Sequence, residues 1–487
     1  MTSSYEEILE QILWVKPPRP GDKIDYGRYL DDLEKQPEIE QTVREIIGEP
    51  PYGVEEASRP FIDEDKLARL IEQLPWVPEE KLRKLLQLRE PVTIPDEVCF
   101  SGVHICAPPG KGKTLLIQHL VLKYGQKPCS LILMDSKPEE DLLRPFKLRQ
   151  VIREESLIIL DPGPIAINPL SIPNTTPEAL VDLNVYIFSG ITGMEYTPKQ
   201  GVLLKYILRT LITCYPNPTI MDFIDIMRNG VRSGISLTQE LKDFFDNDFQ
   251  DSTYKKTAEE IQYRLRDLLF NPVIKAIFSC KHTKLDLAKE MNAGKVLLIN
   301  ASTEKLGEAG SSFYQRLWIA LILNAARTRK GNSLPCYVFC DEIQLWAAND
   351  RSLVTILDTC RSARIAMHLS HQRVKQLSPT VLDALLNCAV TFANPEADAS
   401  TFAGKLRRPA GELNDRPVGT FAGYARGVGP FDYEVPLPDF NQFPERTFWQ
   451  RTSYLFGPSY YYTPEPIPEH SDTKSGDDIE MKPSKDW

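Results

Sequence analysis

From about residue 100 onward, short and nearly uninterrupted apolar runs punctuate the chain. They fall at Val103–Ala107, Leu131–Met134, Leu157–Leu160, Val296–Ile299, Cys336–Cys340, Ala366–Leu369 and Ala389–Ala393. A strand with one wet face alternates apolar and polar residues, whereas a strand covered on both faces stays apolar. These runs therefore predict buried strands. Their alternation with helical or irregular stretches predicts a mainly parallel sheet in an α/β domain. Between about 173 and 290 such runs cease. Helix-like spacing takes over at 178–189, 198–214, 219–229 and 254–269. That change predicts an all-α insertion between two parts of the sheet domain.

The two ends have another texture. Residues 1–95 are rich in acid and proline, with apolar residues at helical spacing from Leu67 to Leu88, broken at Pro75 and Pro78. They predict a helical N-terminal accessory region. Residues 463–487 are rich in proline, serine and charge, and predict a disordered acidic tail. The expected division is 1–95 accessory region, 96–172 first part of the sheet domain, 173–290 insertion, 291–462 second part of the sheet domain, and 463–487 tail.

Composition narrows the picture only a little. A chain of 487 residues is too long for one compact core, and 42% hydrophobic with 25% charged residues is ordinary for a globular protein. The longest apolar runs, such as Leu317 to Leu323, fall far short of the roughly 18 residues of a membrane helix. The acidic, polar Met1 to Gln11 is unlike a secretory signal. A cytoplasmic protein is expected, without direct membrane insertion. The nine cysteines contain no CxxC pair and read as reduced, buried thiols. The net charge of −10 is unevenly spread: residues 1–100 hold 13 basic and 23 acidic residues, and 463–487 hold 3 and 7. The stretch between is mildly basic, so charge neither demands nor excludes a polyanionic partner.

The candidate chemistry sits where strands end. Val103 to Ala107 runs into Pro108-Pro109-Gly110-Lys111-Gly112-Lys113-Thr114-Leu115, and a helix follows to Tyr124. Strand, glycine-containing turn and helix make a phosphate-binding loop. Gly110 and Gly112 allow successive N–H groups to turn inward as an anion nest, and the helix N-terminus adds its positive end. Lys113 would reach the β- and γ-phosphates of ATP, and the Thr114 hydroxyl would ligate Mg²⁺. Ala107 stands where the usual motif has its first glycine. The strand ending at Cys340 delivers Asp341 and Glu342: the first would hold Mg²⁺, and the second would polarise the attacking water. Gln372, near the end of a further strand, would sense the γ-phosphate or orient water. Arg361 and Arg364 lie at that strand's other end, placed to act as an arginine finger on a neighbouring subunit's nucleotide. His368 and His371 lack suitably spaced partners for a metal. Lys405, Arg407 and Arg408 read as a solvated basic face or part of a nucleic-acid path.

The order of these motifs resembles the HerA–FtsK superfamily of DNA-pumping ATPases, and most of all the conjugative coupling ATPases of type IV secretion. The resemblance spans about 100–440. Met134-Asp135-Ser136-Lys137 is similar to that group's Asp-Pro-Lys, and Ile167-Asn168-Pro169-Leu170 to its Asn-Pro-Leu. Leu285-Asp286-Leu287 and Gly294 to Asn300 close the insertion as they do in the group, and Gly419 to Arg426 resembles its late strand pair. The interval from Arg361 to Gln372 matches the group's finger-to-sensor spacing, which favours Arg361 over Arg364. The resemblance implies a RecA-like P-loop core assembled as a hexamer, with DNA passing through its channel. The expected function is ATP-driven DNA translocation. The alternatives are a protein-handling secretion ATPase and a nucleotide-switched scaffold. The acidic N-terminal region and tail are candidate binding sites for a protein partner. The acidic segment at 1–95 stands where coupling ATPases carry membrane helices.

Overall fold

A computed structural model describes residues 41–43, 45–46, 57–61, 63–75, 79–85, 88–192, 197–329, 331–452 and 460–462. The tail expected to be disordered, 463–487, lies outside them, as does nearly all of 1–56.

Among the described residues, eleven strands form one sheet. In chain order they are β1 (Ala57–Phe61), β2 (Leu88–Pro91), β3 (Val103–Cys106), β4 (Ser130–Asp135), β5 (Leu157–Leu160) and β6 (Val296–Asn300). β7 (Cys336–Cys340), β8 (Ile365–His371), β9 (Val390–Ala393), β10 (Thr420–Ala425) and β11 (Gly429–Glu434) follow. Across the sheet they run β2-β1-β11-β10-β9-β3-β8-β7-β4-β6-β5. The seven from β9 to β5 pair in parallel, and the four beyond β9 pair antiparallel. A parallel neighbour needs a crossover, so β8 threads back between β3 and β7 although it follows both in sequence.

The apolar runs are continuous because both faces of these strands are covered. Ile132, Met134, Leu297, Ile299, Val338, Met367 and Leu369 point into one hydrophobic cluster. Their neighbours Leu131, Leu133, Leu298, Tyr337, Phe339 and Ala366 point into the other. The runs of β4, β5, β6, β7 and β8 thus feed these two cores with period two, whereas β3 and β9 turn Cys106 and Ala393 to a third, smaller cluster. The helix Lys113–Gly125 covers the second face. The helix Thr303–Thr328, broken at Gly307 (φ 70°, ψ 166°), covers the first with Trp318 and Tyr314 fully buried.

The insertion lies between β5 and β6. Its helices include Pro177–Thr192, Pro198–Cys214, Ile220–Asn229, Gln239–Asp246, Ser252–Leu269 and Pro272–Phe278. Gln239–Asp246 and Pro272–Phe278 are too short for periodicity to announce. Leu203, Ile207, Phe223 and Leu265 share one cluster with the sheet residues of the first face, so the insertion packs continuously onto the sheet. Within the N-terminal stretch, the structure adds two strands to the helices expected there. β1 and β2 extend the sheet past β11, a non-local pairing that helical spacing does not signal.

Candidate nucleotide site

Four strands aim their C-terminal ends at one point: β3, β8, β7 and β4. The turn after β3 is shaped by two glycines in left-handed backbone, Gly110 (φ 80°) and Gly112 (φ 93°). A Cβ on Gly112 would sit 3.0 Å from the Gly419 nitrogen, so the position is barred sterically as well as conformationally. The Gly419 amide in turn donates to the Lys111 carbonyl, which braces the loop from the β10 side. Gly112 is the N-cap, with no side chain capping the helix that starts at Lys113. The amides of Gly110, Gly112, Lys113, Thr114 and Leu115 make no hydrogen bond to the described residues. Consecutive unpaired N–H groups at a helix start form a cradle for an anion. Pro109 has no N–H and is exposed beside Gly110, and Thr114 is half-buried in the first helical turn.

Lys113 is buried, and its Nζ lies 2.9 Å from Asp341 Oδ1 and 2.7 Å from Glu342 Oε1. Gln372 Nε2 donates to the same Glu342 oxygen at 2.8 Å, and Ser370 Oγ donates to Asp341 Oδ1 at 2.6 Å. Gln344 donates to Glu342 Oε2 from the other side. Glu342 holds φ 54°, a costly left-handed conformation for a residue with a Cβ. That kink turns the chain sharply out of β7 and leaves both acids facing the loop.

A second lysine shares the acids. Lys137, just past β4, places Nζ 2.8 Å from Asp341 Oδ2 and 3.3 Å from Glu342 Oε1. Two ammonium groups thus balance two carboxylates in a mostly dry site, as burial of charge requires. Burial, the largest single influence, pushes the Asp341 and Glu342 carboxyls up, but Lys113 together with the other donors around them outweighs it, and both end below the usual carboxylate range. Lys137 adds to this at Asp341, and Gln372 at Glu342. Lys137 itself is pulled down by burial, yet Asp341 and Glu342 carry it net upward. Asp135, one residue past Met134, goes the other way. Burial and then the Asp341 charge push its carboxyl up to about 7, against amide hydrogen bonds from Lys137 and Leu142.

The structure therefore brings together Lys113, Asp341, Glu342 and Gln372, beside Thr114 and the amides of Gly110, Gly112 and Leu115. Lys111 turns its ammonium away, to Glu396 (2.8 Å) and the Arg416 carbonyl (3.2 Å). Arg361 is exposed near the C-terminus of the helix Leu353–Ser362, before β8 begins, and forms no ion pair among the described residues. β8 separates it from Gln372 by about 20 Å of extended chain. Arg364 is occupied structurally: it caps the Ser333 carbonyl and lies over the Phe100 ring. His371 pairs with His104 across β8 and β3, Nε2 to Nε2 at 2.8 Å, and His368 contacts the Tyr124 hydroxyl. Lys405 donates to the Cys388 carbonyl, and Arg408 pairs with Asp432. Residue-by-residue reading missed Lys137, Ser370 and Gln344. The signal for Lys137 was its place in a strand-end Asp-Ser-Lys, two residues from the buried Asp135.

The sheet order, the glycine turn and the paired acids across β8 define a RecA-like P-loop NTPase fold. Among solved structures, the chain is similar to the bacterial conjugative coupling protein TrwBdeltaN70 in its unbound monoclinic form. The TM-score is 0.53 at 13% identity, covering 73% of this chain and 90% of that one. It is also similar to the plasmid coupling protein TrwB in complex with the non-hydrolysable ATP analogue ADPNP. Here the TM-score is 0.53 at 14% identity, over 82% of this chain and 98% of that one. TrwB in complex with ADP and Mg²⁺ gives 0.52 at 13% identity, over 73% and 88%. At such identities the likeness is one of fold. No family model matches the chain, and no curated protein matches it in sequence.

Proposed function

We propose that this chain is an ATP-driven DNA translocase, a ring-shaped motor that moves DNA in conjugation-like transfer or packaging. The observation that carries the ATPase part is the meeting of Lys113, Asp341, Glu342 and Gln372 below a cradle of unpaired amides. A triphosphate on that cradle draws Lys113 away from the acids. Thr114 and Asp341 would hold Mg²⁺, which supplies charge neutralisation across the phosphates. Glu342, kept ionised at neutral pH, accepts a proton from the attacking water, and Gln372 fixes the direction of that carboxylate. Lys137 remains beside both acids and adds positive charge where the transferred phosphoryl develops negative charge. Similar solved structures described as coupling proteins, with ADP and Mg²⁺ or ADPNP bound, support the choice of nucleotide and of process. In the ring reading, Arg361 reaches the neighbouring subunit's nucleotide, and the chain works in the cytoplasm.

The test is the ATPase rate with and without DNA, alongside the assembly mass measured with a non-hydrolysable nucleotide. DNA should raise the rate, and the mass should be that of a ring. Lys113→Ala should abolish nucleotide binding. Glu342→Gln should bind nucleotide normally but turn it over about 100-fold or more slowly. Turnover by a stable monomer, indifferent to DNA, would sink the reading.

A further inference from the structure

The helical insertion carries a cavity of about 570 Å³, built by the helices Ile220–Asn229, Ser252–Leu269 and Pro272–Phe278. None of them contributes to the nucleotide site. Arg228, Arg232, Arg266 and Lys275 line it, against the single acid Asp225. Arg232 satisfies that acid at 2.8 Å and also reaches Asp222 at 2.9 Å. Arg228 stands within electrostatic reach of Asp225, and neither it nor Arg266 nor Lys275 forms a direct ion pair among the described residues. The lining thus keeps a local excess of positive charge in a chain whose net charge is −10.

The same wall exposes an apolar ring and a flexible thioether. Phe270 is 89% exposed, and Met221 is 46% exposed. Tyr263, outside the cavity, is 81% exposed. Tyr263, Arg266 and Phe270 follow at helical spacing, so they share one face of Ser252–Leu269 and its C-cap. Folding gains nothing from leaving a phenylalanine in water beside unpaired cations. An aromatic ring set among cations that outnumber the acids beside them suits a ligand with an accessible planar ring and a phosphate at close spacing. In a duplex the base faces are already stacked, so the match is to a single strand.

We propose that this cavity binds single-stranded nucleic acid, with phosphates on Arg228, Arg266 and Lys275 and a base stacked on Phe270. The inference rests on the translocase reading and deepens it by naming a site for the strand.

Anisotropy of a fluorescent single-stranded oligonucleotide, titrated with the full chain over a range of salt, tests it. Replacing Arg228, Arg266 and Lys275 together with Gln should weaken binding. It should also make the slope of log K against log salt shallower by about 0.7 per cation removed. Phe270→Ala should weaken binding about fivefold or more while leaving the salt slope unchanged. Both variants should still bind nucleotide at the phosphate loop, which separates a lost surface from a lost fold. Oligonucleotide binding equal to that of the unmodified chain in both variants overturns the inference and leaves the translocase reading standing. An acidic peptide that binds the cavity more tightly than the oligonucleotide does also overturns the inference alone. An unmodified chain that binds neither single-stranded nor duplex DNA overturns both.

Discussion

At the residue scale, the site is governed by which carboxyls are kept charged. Asp341 and Glu342 are held ionised by two lysines, whereas Asp135, buried a few residues from Lys137, is held towards neutrality with a value of about 7. A carboxyl whose folded value is raised adds stability at low pH, and that stability is lost as pH climbs through the folded value. Stability should therefore fall between about pH 4 and pH 7 through Asp135. In Asp135→Asn, the pH dependence of the denaturant midpoint should flatten over that interval. An unchanged slope would mean Asp135 is charged in the folded chain. The phosphate loop and both acids were legible from local sequence, because a glycine pair after a strand and acids at a strand end are local features. The pairing of Lys137 with those acids was not, since they follow the third strand further along the chain.

At the element scale, one buried amide adds a polar tie to the apolar packing between insertion and sheet. Asn168 is fully buried, and its Nδ2 donates to the Pro218 carbonyl at 2.8 Å and the Lys281 carbonyl at 3.1 Å. Its Oδ1 accepts from the Leu170 amide at 2.9 Å, and Thr283 bonds its backbone. The segment that leads into the insertion is thereby tied to its middle, at Pro218, and to its last part, at Lys281. Asn168→Ala leaves buried carbonyls and an amide unpaired, at about 1–3 kcal/mol each. A loss of about 3 kcal/mol or more in global stability is expected. Faster amide exchange should accompany it around 166–170, 216–219 and 281–284. Exchange that is unchanged at those segments would show that the insertion is held elsewhere. Sequence spacing found the long helices of the insertion and missed Gln239–Asp246 and Pro272–Phe278, where fewer than three turns carry too little periodicity. It missed β1 and β2 for a different reason: β1 pairs with β11, far along the chain, and β2 joins the sheet only through β1.

At the scale of the whole molecule, a single chain leaves Arg361 exposed, with no ion pair among the described residues, on the side of the sheet away from the phosphate loop. If subunits assemble with that side against a neighbour's loop, Arg361→Ala should leave nucleotide affinity intact. Turnover by assembled protein should drop by about 10³-fold or more. Equal turnover in both would remove the arginine from the mechanism. What the amino-acid string determined was which segments must be buried and which turn would cradle an anion, since apolar runs and glycine backbone act over a few residues. What the folded sheet alone decided was company. Threading β8 between β3 and β7 sets Ser370 and Gln372 beside acids from another strand. Placing β4 on the far side of β7 delivers Lys137 to the same pair. Those neighbours follow from the order in which strands pair, a long-range choice made by packing two cores at once.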